Sequence, residues 1–413
     1  MRRCLIAQSG GPTPVINASV AGVLMENKLN GYFDEIYGGI NGIEGILKER
    51  LVYLSDMDEN AINNLKYTPS SGLGSCRYRL KSAGESPEEY ERFFKILDKY
   101  QIDTFFYVGG NDSMDTVSKL SGYAREHSID KKILGIPKTI DNDLVNTDHC
   151  PGFGSAARLI ATTTLETYLD STVYSNNGIF ILETMGRDTG WLAASSVLAT
   201  INDKPVVDFI YLPERAFDKE VFLKDVERVY KEKKHVYIVV SEGLKDSEGK
   251  YLSEIVPHGG HDNFGHAQLG GVAGYLKSLI IDSGITSRVK TLELGVIQRC
   301  GMHMASSVDI EEAFSAGKAA VNYAVEGFSG YMIGIRRTND LPYEYDFFLI
   351  DASEVCNKIK HFPLEWISAS GNFVTAEAVE YLRPLIYGDN SIEINAVGLP
   401  VYYSIDKNNL VTK

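Results

Sequence analysis

The stretch Cys4-Leu5-Ile6-Ala7-Gln8-Ser9-Gly10-Gly11-Pro12-Thr13-Pro14-Val15-Ile16-Asn17-Ala18 reads as a short apolar strand, a glycine-rich turn and the start of a helix. Such a turn leaves helical N–H groups free to bind an anion, although alone it serves equally as a plain strand-to-helix connection. Outward from it, apolar β-rich runs recur at 104–108, 132–136, 179–183, 209–212, 236–240 and 291–297. Amphipathic stretches at 15–29, 112–127, 155–169, 189–201, 217–233 and 309–326 read as the intervening helices. This alternation predicts an α/β fold with mostly parallel sheets covered by helices.

The chain has 413 residues, 44% hydrophobic and 23% charged, which is more than one small core accommodates and predicts two lobes. Its formal charge, 41 − 55 = −14, argues against a general binder of nucleic acid or of anionic membranes. Any anionic ligand is therefore expected in a local basic pocket. The start, Met1-Arg2-Arg3-Cys4-Leu5-Ile6-Ala7, is cut short by Gln8 and Ser9, so it does not read as a signal peptide. No run approaches the ~20 apolar residues of a spanning helix. The five cysteines are scattered without CxxC spacing, as expected of reduced thiols in a soluble cytoplasmic protein.

In open α/β sheets ligands gather at the carboxyl ends of strands, and here those ends are polar and glycine-rich. Gly109-Gly110-Asn111-Asp112-Ser113 repeats the paired-glycine turn, with Asp112 able to serve as a helix-capping acid. Two such turns side by side would cradle phosphates. Pro137-Lys138-Thr139-Ile140-Asp141-Asn142-Asp143 combines a lysine, a hydroxyl and two carboxylates, one suited to accept a proton and the other to hold a cation. Glu183-Thr184-Met185-Gly186-Arg187-Asp188 puts an arginine, apt for phosphate or for neutralising Asp188, beside a glycine. Ser241-Glu242-Gly243 and Gln298-Arg299 close two further strands. No GxxxxGK[ST] or GxGxxG is present, and Gly317-Lys318-Ala319 lies inside a helical pattern. The site is built for phosphate without the common nucleotide signatures.

This constellation resembles the phosphofructokinase family, in the order Ser9-Gly10-Gly11, Gly109 to Ser113, Thr139 to Asp143, Met185-Gly186-Arg187 and Gln298-Arg299. The resemblance implies a glycolytic phosphotransferase in which Asp141 is the general base toward a sugar 1-hydroxyl. It implies sugar-phosphate contacts at Thr139, Met185, Gly186, Arg187, Glu242 and Arg299, a donor-phosphate contact at Gly11, and Mg2+ as cofactor near Asp143 and Asn111. Lys290, with Arg288 as fallback, falls where the family has a cation for the 6-phosphate. A homodimer or homotetramer is likewise implied.

Asp112 and Lys138 stand where the ATP-using members have glycine, as in the family's pyrophosphate-dependent branch. Physics agrees: Asp112 would repel the α-phosphate of a nucleotide, and Lys138 would offset charge as the pyrophosphate bond breaks. Pyrophosphate and a sugar phosphate are thus the expected substrates, fructose 6-phosphate or else sedoheptulose 7-phosphate. The segment 262–266 is similar to that branch too. Three positions depart from the commoner pattern: Asn111 replaces an aspartate, Val296 a histidine or tyrosine, and Gly178 an arginine given across a subunit interface. These departures motivate a rival reading as a non-catalytic regulatory subunit, against which Asp141, Asp143 and Arg187 all stand. A second rival is a metallohydrolase using His258, His261 and His266, whose spacing lacks the HExxH pattern.

The expected organisation is two Rossmann-like lobes with a cleft between them. The donor lobe is drawn from 1–150 plus about 298–345, and the sugar-phosphate lobe from 151–297 plus about 346–413, with Trp366 and Phe373 as packing anchors of a C-terminal extension.

Overall fold

A computed structural model describes residues 2–255 and 271–411. The strands, in chain order, are β1 (Arg3–Gln8), β2 (Glu35–Gly39), β3 (Leu51–Tyr53), β4 (Thr104–Gly109), β5 (Lys132–Pro137), β6 (Gly178–Thr184), β7 (Thr200–Ile201), β8 (Lys204–Pro205), β9 (Phe209–Tyr211), β10 (His235–Ser241), β11 (Val289–Glu293), β12 (Tyr331–Asp340) and β13 (Tyr343–Asp351). They form a seven-stranded sheet in the order β13-β12-β5-β4-β1-β2-β3, a four-stranded sheet in the order β11-β6-β10-β9, and the β7-β8 pair. The run from β12 to β2 is parallel, and only the edges β3 and β13 are antiparallel. All neighbours in the smaller sheet are parallel. The α/β class read from the strand and helix alternation is the class observed.

The chain divides into two compact units. The first takes the residues up to Ser155, Arg299–Ile359 and those from Gly388 on, and the second takes Ala156–Gln298 and Lys360–Tyr387. In the first unit, β1 and β4 are buried along their whole length, because helices cover both faces of the sheet. Successive residues serve opposite cores: Cys4, Ile6, Phe106 and Val108 pack on one face, and Leu5, Ala7, Phe105 and Tyr107 on the other. The second unit has its own core, with Ile179, Ile181, Val236, Ile238 and Val240 against Phe222, Val226 and Leu276.

Register aligns the functional turns. Gln8 pairs with Val108, and Gly109 with Pro137, so the turns that follow β1, β4 and β5 leave the sheet at one level. In the smaller sheet Thr184 pairs with Ser241, which sets Met185 beside Glu242 in the same way.

Three sequence expectations need correction. The expected strand at 291–297 is β11 followed by a 3₁₀ turn, Gly295–Arg299; Gly295 takes φ +50°, which ends the extended run. The expected helix at 189–201 is only Trp191–Ala194 and a 3₁₀ turn Ser195–Leu198 before β7. Ser195 and Ser196 donate their hydroxyls to the carbonyls of Leu192 and Ala193, competing with continuation of the helix. The chain beyond Tyr345 does not stay with the second unit: β13 completes the large sheet, 360–387 joins the second unit, and the residues after it return to the first. Within 360–387, Trp366 does pack in an aromatic cluster with Trp191, Phe362 and Tyr381.

Candidate active site

In the first unit, the turn after β1 is shaped by its neighbours. Ser9 N–H donates to Val108 O, Gly10 N–H donates to Cys76 O, and Ser75 Oγ donates to Gly10 O at 2.6 Å. Gly10 takes φ +76°, and a Cβ there would stand 3.2 Å from Lys138 Nζ. Lys138 lies at the end of β5, 3% exposed, and its ammonium donates to Gly11 O at 2.8 Å. Burial pushes this ammonium down to about 8; Asp141 and Asp143 pull the other way, and Arg299 adds to the depression. Arg299 is therefore in the same group, and a Cβ on Gly11 would lie 3.3 Å from its Nη1. Ser75 and Cys76 escaped the sequence reading, because no apolar strand run precedes them.

The next turn along carries Asn111 and Asp112 at the start of helix Asn111–Glu126, capped by Gly110. Gly109 must be glycine, since a Cβ would strike Ser113 Oγ at 1.9 Å. Lys138 N–H donates to Gly109 O, so the β4 and β5 turns are tied directly. Asp112 is exposed in the first helical turn. Asn111, expected beside the cation, is engaged elsewhere: its Nδ2 donates to Lys358 O at 2.5 Å, and its Oδ1 accepts from Asn357 N–H at 2.6 Å.

The segment following Lys138 is folded back on itself. Thr139 N–H donates to Pro151 O, Thr139 Oγ1 accepts from Asp141 N–H at 3.1 Å, and Asn142, at φ +53°, accepts from Cys150 N–H through Oδ1. Helix Ser307–Val325 fastens the return leg. Asp309 accepts from the N–H groups of Gly152 and Ser155, and Glu312 Oε2 lies 2.7 Å from His149 Nε2. Burial pushes the His149 imidazole down, but Glu312 and Asp148 outweigh it and hold the group up at about 9. Asp309, wholly buried, is pushed up to about 6.

Asp141 and Asp143, following one strand end, offer hard carboxylate oxygens that could hold Mg2+ with substrate phosphates completing its shell. Among the described residues no cluster of three or more His, Cys, Asp or Glu is assembled, and an ion held partly by phosphates needs none.

In the second unit, Met185, Gly186, Arg187 and Glu242 come together after β6 and β10. Met185 N–H donates to Gln298 Oε1 at 3.1 Å, Gly186 N–H donates to Glu242 Oε1 at 3.3 Å, and Ser241 Oγ donates to Gly186 O. Gly186 needs its glycine, with φ +127° and the Thr189 carbonyl 2.6 Å from a would-be Cβ. Asp188 is held by Tyr251 Oη and Lys245. Behind Met185, Glu183 accepts from the N–H groups of Gly271 and Ala273; burial pushes its carboxyl up to about 7, with Glu293 and Glu242 adding to the rise.

Lys290 is not brought to this group. It sits near the start of β11, in register with Phe180, and pairs with Asp170 at 3.5 Å on an open surface. With Arg288, Tyr174 and His235 it lines a separate cavity of about 200 Å³ at the opposite end of the sheet. Gly178 lies at that end, with φ +88° and the Arg288 carbonyl 2.2 Å from a would-be Cβ, so no side chain fits there. Val296 is exposed. His258, His261, His266 and the segment 262–266 lie outside the described residues. Among the described residues no helix is long and apolar enough to cross a membrane.

Comparison with known proteins bears on the family and the fold. The family model described as Phosphofructokinase matches residues 3–324. The chain is 41% identical to a protein of Methylococcus capsulatus named pyrophosphate--fructose 6-phosphate 1-phosphotransferase, covering 98% of this chain and 96% of that one. It is 34% identical to a protein of Alkalicoccus urumqiensis named sulfofructose kinase, over 83% of this chain and 85% of the other. A crystal structure described as a pyrophosphate-dependent phosphofructokinase from Nitrosospira multiformis superposes with a TM-score of 0.88 at 36% identity, covering 100% of this chain and 98% of that one.

Proposed function

Since the chain belongs to the phosphofructokinase family, we propose that it catalyses the reversible transfer of a phosphoryl group from pyrophosphate to the 1-hydroxyl of fructose 6-phosphate. The products are fructose 1,6-bisphosphate and orthophosphate. The observation that carries the donor assignment is the buried Lys138 ammonium. It donates to Gly11 O and shares its surroundings with a second cation, Arg299, while Asp141 and Asp143 supply carboxylates for a proton and a metal ion, a compact group fitting a small metal-bound polyanion. Lys138 and Arg299 stabilise the charge that collects on the phosphate oxygens as the bridging P–O bond breaks, and donors fixed in advance cost no reorganisation at that moment.

Asp141 takes the proton of the attacking hydroxyl while the new P–O bond forms. Its backbone bond to Thr139 and the folded-back 142–152 segment hold it in place. Arg187, backed by Gly186 and Glu242, recognises the sugar phosphate. Phosphofructokinases generally use Mg2+; Asp143, with Asp141, would hold the ion, which neutralises charge on the transferring group when bound. Lys290 and Arg288 belong to a different surface, so a role of theirs in holding the 6-phosphate is kept only for a site completed in a homodimer or homotetramer.

A donor and acceptor panel tests the proposal, with pyrophosphate and ATP crossed against fructose 6-phosphate, sedoheptulose 7-phosphate and 6-deoxy-6-sulfofructose. The sulfofructose arm is included because one relative carries that name. Orthophosphate release from pyrophosphate with fructose 6-phosphate, and pyrophosphate formation from fructose 1,6-bisphosphate and orthophosphate, are the expected results. Turnover with ATP alone would defeat the reading.

A further inference from the structure

Asn111 opens helix Asn111–Glu126, next to Gly110 and Asp112, and its amide is engaged by a backbone segment far along the chain. Both of its polar ends are used by one backbone segment: Nδ2 donates to Lys358 O at 2.5 Å, and Oδ1 accepts from Asn357 N–H at 2.6 Å. Asn357 repays the contact, its Nδ2 donating to Asp115 Oδ1 at 3.3 Å, one helical turn after Asn111. The segment has no regular structure of its own here, following the short helix Ala352–Val355, and Asn357 takes φ +60° to present its N–H. An amide is the one side chain of this size that both donates and accepts; an aspartate would set a carboxylate against the Lys358 carbonyl.

We propose that Asn111 is a specificity-determining residue of the donor site. It fastens 356–358 beside the turn Gly110–Asp112, forming a wall that ends the site after two phosphates. A pyrophosphate fits behind this wall, whereas a longer polyphosphate or a nucleotide has to displace it. The inference rests on the pyrophosphate reading and adds a second barrier to the charge of Asp112. It also reassigns the position, from an oxygen offered to magnesium to a latch on the backbone.

Asn111→Asp tests this cleanly. An acid in the first helical turn is favourable for folding, so the helix survives while the latch loses its donor. Steady-state kinetics of the full chain would compare pyrophosphate, inorganic tripolyphosphate and ATP for the wild type, Asn111→Asp and Asn357→Gly. The last variant suits the positive φ and removes the side-chain bonds to Asp115 and Cys356 while leaving the backbone N–H that Asn111 accepts from. The expected result is a fall of about tenfold or more in the preference for pyrophosphate over tripolyphosphate in Asn111→Asp, from the loss of the hydrogen bond to Lys358 O and the repulsion between that carbonyl and the new carboxylate, with a smaller fall in Asn357→Gly. The Mg2+ concentration for half-activation should stay put. Were Asn111 a cation ligand, the new carboxylate would lower that concentration and leave donor preference unmoved, which overturns the proposal. A wild type preferring ATP defeats the pyrophosphate reading itself, and that is seen before any variant is made.

Discussion

On the proposed reading, the two units recognise phosphate with differently placed cations. In the first, the cation is sunk: Lys138 is 3% exposed, locked to Gly11 O, and surrounded by two carboxylates and an arginine. In the second, Arg187 is half-buried above glycines that allow close approach, and Glu242 is spent partly on the Gly186 N–H. A buried, desolvated charge acts strongly on developing charge but tolerates little change in ligand size, while a more open arginine binds its phosphate in ground and transition state alike. The first unit should therefore govern turnover and donor choice, and the second acceptor affinity.

The largest test of this division is Asp141→Asn. Removing the base should lower kcat by about 10²- to 10⁴-fold, with KM for fructose 6-phosphate little changed. Near-normal turnover would take the proton acceptor away from Asp141. Next, Lys138→Met should cost on the order of 10²-fold in kcat, the usual toll of one preorganised charge donor. Because the free-enzyme ammonium is pushed down to about 8, kcat/KM for pyrophosphate in the wild type should decline above that pH. A profile flat to pH 9.5 would deny Lys138 its part.

Arg187→Lys should act on the other side of the comparison. A point charge cannot reproduce the planar fork, so KM for the sugar phosphate should rise about tenfold while kcat moves far less. A variant that instead lost turnover at unchanged KM would show the second unit to be as much a part of the chemistry as the first.

Much of this site was legible because each motif is local. The turns after β1, β4 and β5 announce themselves as glycine pairs and charge clusters following apolar runs, and parallel register sets them level. What stayed hidden depends on long-range contact. Nothing in the residues near Asn111 signals that its amide meets 357–358, some 246 positions away. Lys290 lies near the start of β11 in register with Phe180, a placement set by strand pairing that no local motif announces. Gly178 looked like a missing arginine; the Arg288 carbonyl leaves no room for any side chain. The helix expected at 189–201 failed for a local reason, serine hydroxyls bonding back to the preceding turn.

The smallest effect concerns stability, and it sets the donor seat against the network that braces the segment behind it. His149, 1% exposed, lies between Asp148 and Glu312, with Tyr343 donating to Glu312 and Arg337 paired with Asp148. Its folded-state value of about 9 lies above the ordinary 6.5, so its contribution is complete below pH 6.5 and is lost as pH rises through 9. Lys138 has the opposite sign. Its folded-state value of about 8 lies below the ordinary 10.5, so burying its charge costs stability below pH 8, and that cost fades between 8 and 10.5. Asp309 and Glu183, pushed up to about 6 and 7, and Cys4 and Cys356, raised by burial, titrate alike in wild type and variants, so the differences between slopes report His149 and Lys138. Thermal melting from pH 7 to 9 should therefore show a decline in the wild type that is flattened in His149→Gln and steepened in Lys138→Met, which lacks the compensating gain. If His149→Gln kept the wild-type slope, the imidazole would be neutral in the fold, and the bracing of 142–152 would rest on hydrogen bonds alone.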